Sequence, residues 1–245
     1  MLLHFYLRYS TKFGDTIYVT GNDPVLGGDN ISEAFPLEYL NDQLWHGMVE
    51  IDTNLVNSPV QYKYFLRDDN GEETIEFGDD RIIDIENTKA EKIILFDTWN
   101  NPGEYENAFF TSAFQEVLLK KYMQYPAAAK EAKTYTHEFK VKAPLLKENE
   151  SLCLSGSAKI FSNWDKNDPL LMTKSGNWWN IKLNLADELF PITYKYGIYN
   201  QDDKKFVRFE EGVNRILLTE PAKKSLTIIH DGFANLQNIN WKGAG

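Results

Sequence analysis

Residues 191–215 read PITYKYGIYNQDDKKFVRFEEGVNR. The run opens on Tyr194-Lys195-Tyr196, part of an alternating stretch of the kind a half-buried strand needs. It crosses a polar tip, Asn200 to Lys205, and returns to an aromatic-acidic corner, Phe209-Glu210-Glu211-Gly212-Val213-Asn214-Arg215. The same pattern stands earlier in the chain as VQYKYFLRDDNGEETIEFGDDR, Val60 to Arg81. Lys195 follows Lys63 by 132 residues, and Arg215 follows Arg81 by 134. A pattern that recurs at a nearly constant offset marks a duplicated unit.

The flanking segments match at the same spacing. Thr16 to Gly21, TIYVTG, corresponds to Ser151 to Gly156, SLCLSG. Lys92 to Asp97, KIILFD, corresponds to Leu226 to Asp231, LTIIHD, and Trp45 to Trp179. These are short strand-like runs separated by turn signals, among them Asn70-Gly71 at a hairpin tip. Two modules follow, residues 1–100 and 134–235. The segment between them, residues 101–133, reads as a linker. Within it Ser112-Ala113-Phe114-Gln115 has capping-box spacing, and Phe114, Val117, Leu118 and Tyr122 fall at helical intervals. That spacing predicts a short helix from Ser112 to Met123.

Tyr-Lys, a turn, then aromatic-Glu-x-Gly-x-Asn-Arg resembles the starch-binding module, carbohydrate-binding module family 20, and the resemblance covers both halves of the chain. It implies an all-β fold: two immunoglobulin-like antiparallel β-sandwiches joined by a partly helical linker. It also implies a groove for malto-oligosaccharide lined by the Lys, the aromatic and the Asn, which here are Lys195, Phe209 and Asn214. The family's Leu-Gly-x-Trp is matched by Phe161-Ser162-Asn163-Trp164, which makes Trp164 the main sugar platform. Polar residues flank Trp164 on both sides, as an exposed ring requires. In the first module Lys63 is kept, but Ile75 stands at the aromatic position, Asp80 at the Asn and Asp29 at the Trp. The main site of that copy is therefore degraded.

The family's second sugar site uses an aromatic at the turn where this chain has Phe13. Phe13 either takes that role, with Tyr39 as its partner, or folds back onto the strand ends. The corresponding turn of the second module, Lys147 to Glu150, has no aromatic, so the second site is expected to be missing there. Trp45 and Trp179 read as sheet-core residues, while Trp178 has no evident place.

Composition narrows the partners. The net charge is −10, without the basic stripe that gripping phosphates calls for, so nucleic acid and anionic membrane surfaces are poor candidates. Aromatics make up 14% of the chain, enough to build a core and still stack on sugars. Cys153 is alone, which suits a reducing compartment, and no signal peptide or 18-residue apolar window is visible. We expect a cytoplasmic protein. The four His have no metal-ligand spacing, and no phosphate loop or nucleophile elbow occurs, so we expect no metal, no cofactor and no catalytic residues.

An indole or phenyl face packs on the C–H-rich face of glucose, while an ammonium and an amide reach its hydroxyls. The expected function is non-catalytic binding of starch- or glycogen-type α-glucan. Paired modules of this kind resemble the N-terminal region of the amylomaltase-type 4-α-glucanotransferases of glycoside hydrolase family 77. Residues 236–245 would then begin the connection to a catalytic barrel. The alternatives are a glucan-targeting module of another enzyme or regulator, and a protein-interaction sandwich, which would show an exposed apolar patch in place of glucan affinity.

Overall fold

A computed structural model describes residues 1–53, 59–85, 88–101, 134–143 and 146–234. The expected helix from Ser112 to Met123 and the expected connection at 236–245 lie outside the described residues. The chain divides into two compact units, Met1–Gln115 with Lys223–Ile228, and Glu116–Ala222 with Ile229–Gly245.

The strands of the first module are β1 Leu2–Arg8, β2 Thr16–Gly21, β3 Phe35–Pro36, β4 Glu38–Asn41, β5 Leu44–Glu50, β6 Val60–Arg67, β7 Glu73–Ile75, β8 Arg81–Ile83 and β9 Lys92–Thr98. One sheet runs β9-β1-β5-β4 and the other β3-β2-β6-β7, with β8 also on β6. Alternation decides which side chains go inward. On β1, Leu3, Phe5 and Leu7 are fully buried, as are Ile17 and Val19 of β2 and Val60, Tyr62 and Tyr64 of β6, and Phe5 meets Tyr62 and Tyr64 edge-on, centroids 5.2 and 6.4 Å apart. Trp45 joins them at 5% exposure, as its sequence position indicated. The sandwich is not wholly antiparallel: β9 pairs with β1 in parallel, Leu2 opposite Lys92 and Arg8 opposite Thr98. The closing strand comes back in the direction of the opening one, so the two can pair only in parallel.

The second module has β10 His137–Lys142, β11 Glu150–Gly156, β12 Leu170–Leu171, β13 Thr173–Ser175, β14 Trp178–Leu183, β15 Ile192–Asn200, β16 Lys205–Phe209, β17 Arg215–Leu217 and β18 Ser225–Gly232. Its sheets are β13-β14-β10-β18 and β12-β11-β15-β16, with β17 also on β15. Phe139, Phe161, Trp179, Tyr194 and Tyr196 fill its core. Trp178 points outward and rests edge-on against His230, ring centroids 5.2 Å apart, beneath the Lys142 ammonium.

The Glu of the repeated motif is buried in both modules; its Arg is buried in the first, as Arg81, and partly exposed in the second, as Arg215. In the second, Glu210 accepts from Arg215 Nε (2.8 Å) and Nη2 (2.9 Å), and Arg215 Nη1 reaches Asp231 at 3.0 Å. The Tyr196 hydroxyl donates to the same Asp231 at 2.8 Å. In the first, Arg81 pairs with Glu76, and Tyr62 (2.8 Å) and Tyr64 (2.6 Å) both donate to Asp97. Buried charges persist only when paired and hydrogen-bonded, and these networks meet that condition. Burial, then the neighbouring aspartate, raises the Tyr62, Tyr64 and Tyr196 hydroxyls well above the usual tyrosine range. The carboxylates around Arg81 and Arg215 outweigh their desolvation and raise both guanidiniums. The motif's Arg thus anchors the corner from below, leaving the Asn beside it free to face outward.

Candidate functional site

The site of the second module is built on β15, β16 and the loop after β11. That loop is a 3-10 stretch, Lys159–Trp164, whose last three residues, Ser162, Asn163 and Trp164, all adopt left-handed backbone. The turn brings Trp164, half-exposed, up against Phe209 at the end of β16. The two rings meet edge to face, centroids 5.9 Å apart and planes 83° apart. Since they touch, they make a single stepped surface that a sugar would cover from outside.

Lys195 lies on β15, two residues before Gly197, and Gly197 pairs with Phe209. Residues two apart on a strand share a face, so Lys195 and Phe209 lie on the same side of the sheet. The Lys195 ammonium donates to the carbonyls of Glu210 (3.2 Å) and Gly212 (2.6 Å). An ammonium has three donors, so one is left for an outside acceptor. These bonds hold the turn in which Gly212 has φ 82° and which carries exposed Asn214. The four residues singled out in the second module therefore cluster around one corner.

Two further side chains pack around this surface, and sequence reading missed both. Phe206 lies against Phe209, centroids 4.5 Å apart. The Lys166 ammonium stands 5.7 Å from the Phe206 ring centre and 5.5 Å from that of Phe209. The signal for Phe206 was its three-residue spacing from Phe209, which on a regular strand puts two rings on opposite faces.

In the first module the same positions behave differently. Asp29 has φ 65° where Trp164 has φ 64°, so the backbone of the platform loop is kept while its ring is gone. Ile75 is exposed at the end of β7. Lys63 is drawn into an ion pair with Asp80, Nζ to Oδ1 2.5 Å.

Phe13 and Tyr39 are brought together elsewhere on the first module. Phe13 stands fully in solvent, so it does not fold back onto the strand ends, and Tyr39 is 60% exposed. With Thr11, Lys12, Asp15 and Trp45 they line a depression of about 470 Å³. Tyr39 packs edge-on against Trp45, centroids 5.6 Å apart, which fixes its ring. The turn is closed by the Asp15 carboxylate accepting from Lys12 N at 2.8 Å. The second module repeats the closure, Glu150 accepting from Lys147 N at 3.1 Å, but offers no aromatic there.

Among the described residues no group of three or more His, Cys, Asp or Glu is placed to hold a metal ion. No described helix is long and apolar enough to cross a membrane. Cys153 is buried, and burial pushes its thiol up to about 12.

Two sandwiches, the second with a sheet-edge corner that carries paired aromatics, a lysine and an asparagine, match a carbohydrate-binding class of fold. The chain belongs to the starch binding domain family, carbohydrate-binding module family 20, whose model matches residues 1–94 and 134–229. Members of that family bind α-glucans such as malto-oligosaccharides. The chain is 26% identical over 261 residues to 4-alpha-glucanotransferase DPE2 of Oryza sativa subsp. japonica, an alignment that takes in 99% of this chain and 27% of the rice protein. Among solved structures, it is similar to a glycoside hydrolase family 15 glucoamylase from Hypocrea jecorina, at 28% identity, covering 41% of this chain and 17% of that one with a TM-score of 0.35. It is also similar to the family 20 module of a maltotetraose-forming amylase from Pseudomonas saccharophila STB07, at 18% identity, covering 38% of this chain and 97% of that one with a TM-score of 0.31.

Proposed function

We propose that this chain is a non-catalytic docking region for α-1,4-glucan, acting chiefly through Trp164, Phe209, Lys195 and Asn214. The observation that carries the reading is the Trp164–Phe209 step, two half-exposed rings 83° apart beside a lysine with a donor to spare. An α-1,4 chain curls, so its successive glucose faces suit two angled rings better than one flat one. Phe13 and Tyr39 supply a weaker second contact. Malto-oligosaccharide, starch and glycogen are the ligand class, and the neutral sugar agrees with a chain of net charge −10.

The reading extends to the protein of which the chain is part. Similarity to the rice 4-alpha-glucanotransferase, of which this chain spans 27%, supports a parent enzyme of the amylomaltase type that moves glucan segments between acceptors. A cytoplasmic setting belongs to the same proposal and rests on the lone cysteine.

Native electrophoresis through glycogen-containing gel, paired with incubation of the chain in maltotriose, tests both parts. The chain should be retarded by glycogen and should release no glucose. Unretarded migration would remove the docking role, and transfer products would place an active site within these residues.

A further inference from the structure

The pairing of β15 with β16 slips between Ile198 and Tyr199. Gly197 opposes Phe209 and Tyr199 opposes Phe206, so two steps along β15 match three along β16. That is a β-bulge, which adds one residue to a strand and re-aims the side chains beyond it. Without it, Phe206 and Phe209 would point to opposite faces. With it they share one face and touch, centroids 4.5 Å apart and planes 55° apart.

Gly197 supplies the room. A Cβ added there would come within 2.5 Å of Phe206 Cε2, closer than real Cβ atoms come to a neighbour, and 3.0 Å from its Cζ, so the ring would have to shift. Phe206 therefore lies down on the backbone of β15 and presses against Phe209 from the side away from Lys195.

The first module has neither device. Phe65 stands two residues after Lys63, where Gly197 stands after Lys195, and it is fully buried against Tyr18, centroids 4.9 Å apart. Phe65, Leu66 and Arg67 pair with Ile75, Thr74 and Glu73 without a slip. Bulge and glycine thus occur together in the copy that keeps an aromatic platform, and both are absent from the copy that has Ile75 instead.

We propose that Phe206 is a positioning residue of the glucan platform: lying in the space left by Gly197, it holds Phe209 at its angle to Trp164. The inference rests on Trp164 and Phe209 being the sugar platform. Phe206 touches the sugar only through Phe209, so its worth should vanish when Phe209 is gone.

The test is a double-mutant cycle on the full chain, with β-cyclodextrin affinity measured by calorimetry for the wild type, W164A, F209A, F206A and F206A/F209A. Melting temperatures identify any variant that fails to fold, and F206L, which keeps an apolar side chain in that space, is carried as the milder change. The expected result is a loss of about fivefold for F206A, a smaller loss for F206L, and no further loss when F206A is added to F209A. G197A, which displaces the ring without removing it, should weaken binding to a similar degree. Affinity within about twofold of wild type for folded F206A, or independent losses that multiply in the double variant, would overturn the positioning role. If W164A and F209A weaken binding while F206A does not, the platform stands and this inference alone falls. If the wild-type chain binds no glucan, or W164A and F209A bind normally, both fall.

Discussion

Lys63 and Asp80 of the first module form an ion pair, Nζ to Oδ1 2.5 Å, at the positions that Lys195 and Asn214 hold in the second. The substitution of Asp for Asn does more than remove an amide. It engages the lysine, whose counterpart Lys195 instead binds two backbone carbonyls and keeps a donor outward. Because Asp29 retains the left-handed backbone of Trp164, the loop can still carry a ring. The triple change D29W, I75F and D80N, made in a W164A background, should therefore return measurable maltoheptaose affinity to a chain that has lost most of its own. A gain of at least about fivefold is expected by calorimetry. No gain from a folded variant would mean that more than these three side chains separates the two modules.

The Phe13–Tyr39 depression is rigid on one side and open on the other, since Tyr39 is braced by Trp45 while Phe13 has no cover. In a W164A background, where the main site is silent, F13A and Y39A should each remove the residual retardation on glycogen gels. Alone, in the native chain, each should change affinity by less than about twofold. A large loss from F13A in the native chain would move the principal site to the first module.

His137 gives the second module a pH dependence. Burial lowers its imidazole from 6.5 to about 4. Between those values the unfolded chain takes up a proton that the native chain does not. Stability from this group is therefore full above pH 6.5 and declines as the pH falls toward 4, by on the order of 3 kcal/mol in all. The melting temperature should fall less steeply across that window in H137L than in the native chain. Equal slopes would show that His137 is protonated in the folded module.

Glu210 holds the corner beneath the platform, accepting from Arg215, from Tyr196 N (3.1 Å) and from Ala234 N (3.2 Å). E210A would leave the guanidinium short of a partner and two backbone N–H groups unsatisfied. A loss of about 3 kcal/mol in urea unfolding is expected, with weaker glucan binding because Phe209 is the adjacent residue. Unchanged stability would place the motif's Glu on the surface.

Sequence made the architecture legible because strand alternation and a constant offset survive any loop chemistry. Trp45 and Trp179 could be read inward from their shared spacing. Lys195, Phe209, Asn214 and Trp164 could be read as a set because their motif recurs. The buried carboxylates of Asp97 and Asp231 were not legible, since a strand-end Asp looks solvated until a distant Arg and Tyr are seen to meet it. Phe206 was hidden for another reason: a bulge changes which side chains share a face, and nothing in KKFVRF marks where the extra residue falls. The parallel β1–β9 pairing is a property of chain direction over the whole module and has no local signal.

Calorimetric titration of the native chain and W164A with maltoheptaose tests the central claim most directly. The native chain should bind with a Kd on the order of 10 μM to 1 mM, and folded W164A should bind at least about tenfold more weakly, a loss of roughly 1.4 kcal/mol or more. Undiminished affinity in a folded W164A variant would contradict the assignment of Trp164 and Phe209 as the glucan platform.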